Sequence, residues 1–251
     1  MEVHHHSHPA HGGTGTRKKW THYFWEFLML FLAVFCGFLA EYQLEHKIEN
    51  IREKQFMESM LEDLHKDTTE IRIIVEISRE VVNRLDIATG ILLSGNLNEN
   101  NSLELYKLNL GYLRNTSVYI TDRTSSQLKN SGGMRLIRNK EVVEGLLNYW
   151  RQYEILLDRT KTTEELKLKA REKSYSIFNH RYYSTDTLNL MPIILPDAVL
   201  MTKDPFVLTE FSNRLSHIRN SIQNIYITFL VRQQKAAEKL MELIRNKYNL
   251  K

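Results

Sequence analysis

Trp20-Thr-His-Tyr-Phe-Trp-Glu-Phe-Leu-Met-Leu-Phe-Leu-Ala-Val-Phe-Cys-Gly-Phe-Leu-Ala40 is the stretch that decides how this chain is organised. From Phe27 to Ala40 it is uninterrupted apolar, and Glu26 alone breaks the run that starts at Tyr23. At 1.5 Å of rise per residue it covers roughly 30 Å, the thickness of a bilayer's hydrocarbon. A buried core helix is the competing reading, because the uncharged part is short for a span. The flanks decide for the membrane. Arg17-Lys18-Lys19 precede the run, Trp20, Tyr23 and Trp25 crowd that end, and Glu41, Tyr42 and Glu45 follow it. A cationic flank with an aromatic belt marks a membrane interface. Cations stay on the cytoplasmic side, so residues 1–19 are expected inside and everything after about Glu41 outside. Signal-peptide cleavage after Ala40 would want a small residue where Phe38 stands, and Phe35 before Cys36 spoils lipoprotein processing. The stretch therefore reads as an uncleaved signal anchor.

Within the span, Glu26 is either a functional acid that pairs with another helix or a carboxylate lying near the headgroups, about 9 Å from Trp20. Ala33-x-x-x-Gly37 and Cys36-x-x-x-Ala40 place small residues one turn apart, a spacing that lets two spans approach closely.

The whole composition agrees with a folded, mostly helical protein. Apolar residues make up 42% and charged residues 25% of 251, which is ordinary globular usage. Lys plus Arg number 34 and Asp plus Glu 30, a net +4 too small to argue for a nucleic-acid partner. One Cys excludes an intrachain disulfide and any zinc site built on several thiolates. With 4 Pro and 10 Gly, the turns that an all-β fold needs are missing. The tail before the span, with His4, His5, His6, His8 and His11, lacks apolar periodicity and reads as disordered. Those five imidazoles are the chain's only candidate metal ligands, and no carboxylate or thiol completes a site. No cofactor is implied.

Past the span, apolar residues recur at helical spacing from Leu44 through Ile48, Ile51, Met57, Leu61, Leu64, Ile71, Val75 and Val82 to Leu85. Asp67-Thr-Thr-Glu70 has the form of a capping box, so a break is expected there. Ser94 to Ser102 is a polar loop, and a second helix runs from about Ser102 to Arg114. Thr124-Ser-Ser-Gln127 suggests another capping box, opening a short helix that ends at Gly132-Gly133. Asn139 caps a long helix with Val143, Leu147, Trp150, Tyr153 and Leu157 on one face. Between Tyr183 and Lys203, Leu188, Leu190, Met191, Ile193, Ile194, Leu195, Val199, Leu200 and Met201 are dense, and Pro192 and Pro196 forbid a regular helix. This segment reads as an apolar lid across the end of a bundle, or as a partner-binding strap. Asp204-Pro205 opens the last helix, whose set Leu208, Phe211, Leu215, Ile218, Ile222, Ile225 and Phe229 alternates steps of three and four. That seam lies either within the chain or between chains. Beyond Arg232 the apolar face thins to Ala236, Leu240 and Leu243, so greater exposure is expected there.

Catalytic chemistry is scarce. Ser126-Gln-Leu-Lys129 matches the Ser-x-x-Lys element of penicillin-recognising enzymes, but no Lys-Thr-Gly follows it and a chance match is the better reading. Asp63, His65 and Asp67 read as a solvated face. Lys129, Arg135, Arg138 and Lys140 form a basic patch suited to acidic contacts.

The block His-His-His-Ser-His-Pro, the run from Trp20 to Glu41, and Gln127-Leu-Lys-Asn-Ser-Gly-Gly-Met-Arg-Leu-Ile-Arg138 together resemble a family of single-span, N-terminally anchored membrane proteins of Bacteroidetes-type bacteria, a domain of unknown function. The resemblance implies a helical protein of the bacterial inner membrane and brings no catalytic residues. The expected architecture is all-α: a disordered cytoplasmic tail (1–19), a transmembrane signal anchor (20–40), and a periplasmic domain (41–251) forming an elongated antiparallel helical bundle with coiled-coil-like seams. The expected role is non-enzymatic, a scaffold or partner-binding protein in contact with the lipid bilayer and with further copies or another membrane protein. A ligand sensor acting through a separate membrane partner is the alternative, since a 19-residue tail houses no kinase or receiver.

Overall fold

The computed structural model describes residues 20–112, 117–189 and 191–250. The five tail histidines, the Arg17-Lys18-Lys19 flank, Arg114 and Leu190 lie outside them. Helices dominate the described residues: α1 (Trp20–Ser94), α2 (Glu99–Tyr112), α3 (Arg123–Asn130), a 3₁₀ turn (Gly133–Leu136), α4 (Lys140–Ser174), α5 (Pro205–Asn220) and α6 (Ile227–Tyr248). Two three-residue strands, β1 (Tyr183–Thr185) and β2 (Pro192–Ile194), make an antiparallel hairpin with Ser184 opposite Ile193. The fold is all-α. The chain divides into two compact units, Met1–Ile51 and Arg52–Lys251.

In the first unit, α1 holds a window long and apolar enough to cross a membrane, with none of it buried. In the second unit, two clusters of buried side chains form the core. One gathers Met57, Met60 and Leu64 of α1, Leu128, Val142 to Trp150 of α4, and Ala237 to Ile244 of α6. The other gathers Ile71 to Leu92 of α1, α2, Leu156 and Ala170 of α4, Phe178, Leu208 to Ile218 of α5, and Leu230. α1 and α4 meet the clusters in the same order along the chain, and the α5–α6 segment meets them in reverse.

Several local signals act as their chemistry requires. Asn139 Oδ1 accepts from the Val142 amide, and Asp204 Oδ1 accepts from Phe206, with Pro205 in the first turn of α5. Gly132 takes the left-handed φ of +69° that glycine alone adopts cheaply.

Other expectations are corrected. α1 runs through Asp67 without a break, because that carboxylate is buried and bonded to other segments. α2 starts at Glu99 rather than Ser102: Asn98 Oδ1 accepts from Asn101 and serves as its cap. α3 starts at Arg123 after Asp122, and Thr124 donates its amide to Asp63 instead of capping a helix. On α4 the buried positions are Val142, Leu146, Tyr149, Trp150, Leu156, Thr160, Thr163, Lys167, Ala170 and Ser174, so the inward face lies mostly one residue from the set expected, and Leu147 is exposed.

The seam of the last helix is also revised. Residues Ser221–Tyr226 form a π-helical turn between α5 and α6, with helical dihedrals at both joins. A π turn adds one residue to the turn and rotates the following face. Leu208, Phe211, Leu215, Ile218 and Ile222 are buried as expected, but the next inward positions are Tyr226 and Leu230; Ile225 is exposed and Phe229 only partly covered. The rotated face then continues through Gln233, Ala237, Leu240, Met241 and Ile244, all buried, so the segment beyond Arg232 is core rather than exposed. The seam packs within the chain.

The segment expected as a buried lid is a hairpin instead. Ala198 and Leu200 are buried, while Leu188 is 94% and Met191 62% exposed, and Ile193, Val199 and Met201 are also exposed. The rotated seam carries a direct consequence: Leu230→Ala should cost about 2–5 kcal/mol of unfolding free energy, and Ile225→Ala under about 0.5 kcal/mol. Denaturant titration of the detergent-solubilised chain checks this, and the unrotated heptad predicts the opposite order.

Candidate functional site

Three places in the molecule carry groups that packing alone does not explain. The first is the apolar helix Trp20–Ala40. Its side chains are exposed throughout, apart from a partly covered Leu28. Rings stack up one side, with centroids 6.3 Å apart for Phe27 and Phe31 and 5.9 Å for Phe31 and Phe35. Glu26 Oε1 lies 3.1 Å from His22 Nε2, one turn earlier, and both side chains are about half exposed. The sequence held this partner at a four-residue spacing, which brings two side chains together on a helix. Ala33, Cys36, Gly37 and Ala40 are exposed, and a Cβ added at Gly37 would meet nothing within 4 Å.

The second is a row of buried carboxylates on the second unit's part of α1. Asp63 and Asp67 were expected on a solvated face, yet both are fully buried and only His65 is exposed. Residues two apart on a helix point apart, but Asp63 and Asp67 are four apart and share a face. Asp63 accepts from Arg123 Nη2 at 2.9 Å and from the Thr124 amide at 3.0 Å. Asp67 accepts from the Thr121 amide at 2.7 Å and from Tyr149 Oη at 2.6 Å. Glu53 repeats the arrangement, accepting from the Arg138 amide at 2.8 Å and from Tyr248 Oη at 2.6 Å. Each carboxylate thus satisfies a backbone N–H that has no helical partner of its own, Thr121 and Arg138 in connecting segments and Thr124 in the first turn of α3. Burial raises the Asp67 carboxyl above its ordinary range, against the bonds from Tyr149 and Thr121, and burial beside Asp67 pushes the Tyr149 phenol up. These groups hold the fold together; nothing in their geometry presents a nucleophile or a base to solvent.

The third is the hairpin and the residues that carry it. Tyr106 Oη donates to the Val199 carbonyl at 2.9 Å and accepts from the Asn179 amide at 2.8 Å. Its ring meets Phe178 edge-on at 4.9 Å. This anchor fixes the hairpin's base and leaves the apolar side chains of Leu188 and Met191 outside, with Phe206 of α5 also 79% exposed. The signal in the sequence was apolar density, which does not tell burial from display.

The remaining candidates do not assemble. Ser126 Oγ bonds Asp122 Oδ2 at 3.4 Å, while Lys129 Nζ sits 4.3 Å over the Trp150 ring, so the Ser-x-x-Lys pair is not a catalytic pair. Among the described residues no group of three or more His, Cys, Asp or Glu side chains could hold a metal. Sequence reading missed Lys167, which is buried on α4 with its ammonium 2.9 Å from Glu164 Oε1; burial pulls its pKa down against that partner. The Thr163 and Ser221 hydroxyls meet at 3.1 Å where the π turn lies against α4. No family model, no curated protein and no solved structure matches this chain. Any functional reading therefore rests on its own residues.

The buried carboxylate sets a pH dependence. With its folded value above the 3.8 of an accessible carboxyl, Asp67 binds its proton more tightly in the folded state. Stability from this group therefore falls as pH rises from 3.8 through the raised value, and is regained on acidification. Asp67→Asn should flatten that slope in melting temperature against pH. Asp67→Ala should cost about 2 kcal/mol or more at every pH, because it leaves two buried donors unmet.

Proposed function

We propose that this protein is a non-enzymatic, membrane-anchored scaffold or partner-binding protein. It crosses a bacterial inner membrane once through Trp20–Ala40, with its N-terminus cytoplasmic and its C-terminal domain periplasmic. In this reading the second unit is an antiparallel helical bundle with coiled-coil-like seams. The observation that carries the reading is the exposure of the apolar helix from Trp20 to Ala40, with Leu28 alone partly covered. Exposed apolar surface costs about 25 cal/mol per Å² in water, a cost that hydrocarbon removes. Soluble monomers rarely leave so long a contiguous patch uncovered.

The scaffold part is supported by the hairpin. Leu188 and Met191 stand in solvent on a hairpin whose base Tyr106 holds in place, and Phe206 of α5 is exposed as well, which suits capture of an apolar surface on another protein. Display on a fixed scaffold lowers the ordering cost of binding.

A reporter enzyme that works only outside the cytosol, fused at the carboxyl end, should be active; activity only of a cytosolic reporter would overturn the topology. For the scaffold, the full chain is purified from detergent-solubilised membranes and its co-purifying proteins are compared with those of the Leu188→Asp, Met191→Asp variant. At least one membrane partner should drop roughly tenfold or more, with an unchanged melting temperature because both positions are exposed. Unchanged recovery of every partner contradicts a hairpin-borne role, and a melting temperature raised by a small molecule points to a ligand sensor.

A further inference from the structure

The helix of the first unit has two sides that behave differently where it leaves the apolar stretch. At 100° per residue, Trp20, Phe24, Phe27, Phe31, Phe35, Phe38 and Tyr42 share one sector, and its next positions are Glu45 and Glu49. That side turns polar where the apolar stretch ends, as a lipid-facing surface must. The other side does not. His22, Glu26, Leu30, Ala33, Gly37, Ala40, Leu44, Ile48 and Ile51 all lie within about 40° of the Leu44 direction. Beyond Ala40, where water replaces lipid, Leu44 is 59%, Ile48 40% and Ile51 51% exposed. An apolar seam that continues out of the bilayer needs protein to cover it, since lipid covers only its first half.

We infer that this side of α1, from Glu26 to Ile51, is the contact face for a second copy of the chain, held parallel to the first. The inference rests on the proposed anchoring in lipid. Whatever covers the seam must start in the membrane and leave it in the same direction, and an identical span does so with Leu44, Ile48 and Ile51 at matching heights. Charge agrees with this geometry. Glu41 and Glu45 flank the seam on one side, about 60° and 100° from Leu44, and Lys47 flanks the other at about 60°. In a parallel two-fold pair opposite flanks meet, so the acidic side of each copy faces the lysine of the other. Gly37 adds a separate reason. A Cβ there meets nothing in its own chain, and glycine weakens a helix relative to alanine, so its use here is close approach of another helix. The seam of Leu208 to Leu230, the other candidate for joining chains, is filled from within the chain.

Disulfide trapping in membranes containing the full chain tests this. Cys36 is the chain's only cysteine, so single cysteines are placed in a Cys36→Ala background. Under mild oxidation Leu44→Cys and Ile48→Cys should form dimers at about five times the yield of Tyr42→Cys and Glu49→Cys, because disulfides need close Cα approach. Adding Gly37→Leu, whose Cβ meets nothing within 4 Å among the described residues, should lower the Leu44→Cys dimer severalfold. Equal yields on both sides, a preference for Tyr42→Cys and Glu49→Cys, or no dimer at any of the four positions overturns the inference while membrane retention leaves the anchoring reading intact. Recovery of the chain in the soluble fraction overturns both.

Discussion

The constraint on which the rest depends is that α1 presents Trp20 to Ala40 exposed among the described residues, with Leu28 alone partly covered. Phe27 to Ala40 are fourteen residues without a charge, and intrahelical hydrogen bonds already satisfy their backbone. The helix needs no partner for its peptide groups, and its apolar side chains stay exposed among the described residues, which supports an apolar surrounding. From this follow the proposed single crossing, the orientation set by the Arg17-Lys18-Lys19 flank, and the need for protein cover where the apolar face outlasts the lipid.

The second unit solves a different problem. Its connectors and the first turn of α3 hold backbone amides without helical partners, and α1 supplies those partners from Glu53, Asp63 and Asp67. A buried carboxylate is costly unless several donors converge on it, and each of these three has a backbone N–H and a side-chain donor. The same residues fix where α3 and α4 begin relative to α1. The hairpin is held the same way, by one buried phenol, Tyr106, with two backbone bonds.

Much of this was legible where one residue settles one local question. The long apolar helix near the N-terminus was visible in its length and composition, Asn139 and Asp204 acted as caps, and Gly132 marked a left-handed turn. What was not legible depended on partners distant in the chain. Asp67 carried the pattern of a helix start, and only Tyr149 and Thr121, far along the sequence, explain why it sits inside a helix. The π turn at Ser221–Tyr226 adds one residue without altering composition, so heptad spacing carried past it selects Ile225 and Phe229 in place of Tyr226 and Leu230. On α4, near-equal apolar density on adjacent positions left the inward face ambiguous by one residue. For the hairpin, apolar content indicated stickiness and not which surface would meet it. The tail histidines stay a property of the sequence alone.

Whether lipid surrounds Trp20–Ala40 is the question that decides the rest. Alkaline carbonate washing of membranes strips peripheral proteins and leaves those held through the hydrocarbon. The intact chain is predicted to remain in the membrane pellet, and a variant with Leu30, Val34 and Phe38 each changed to Asp is predicted to be released. An intact chain found in the supernatant would contradict the account.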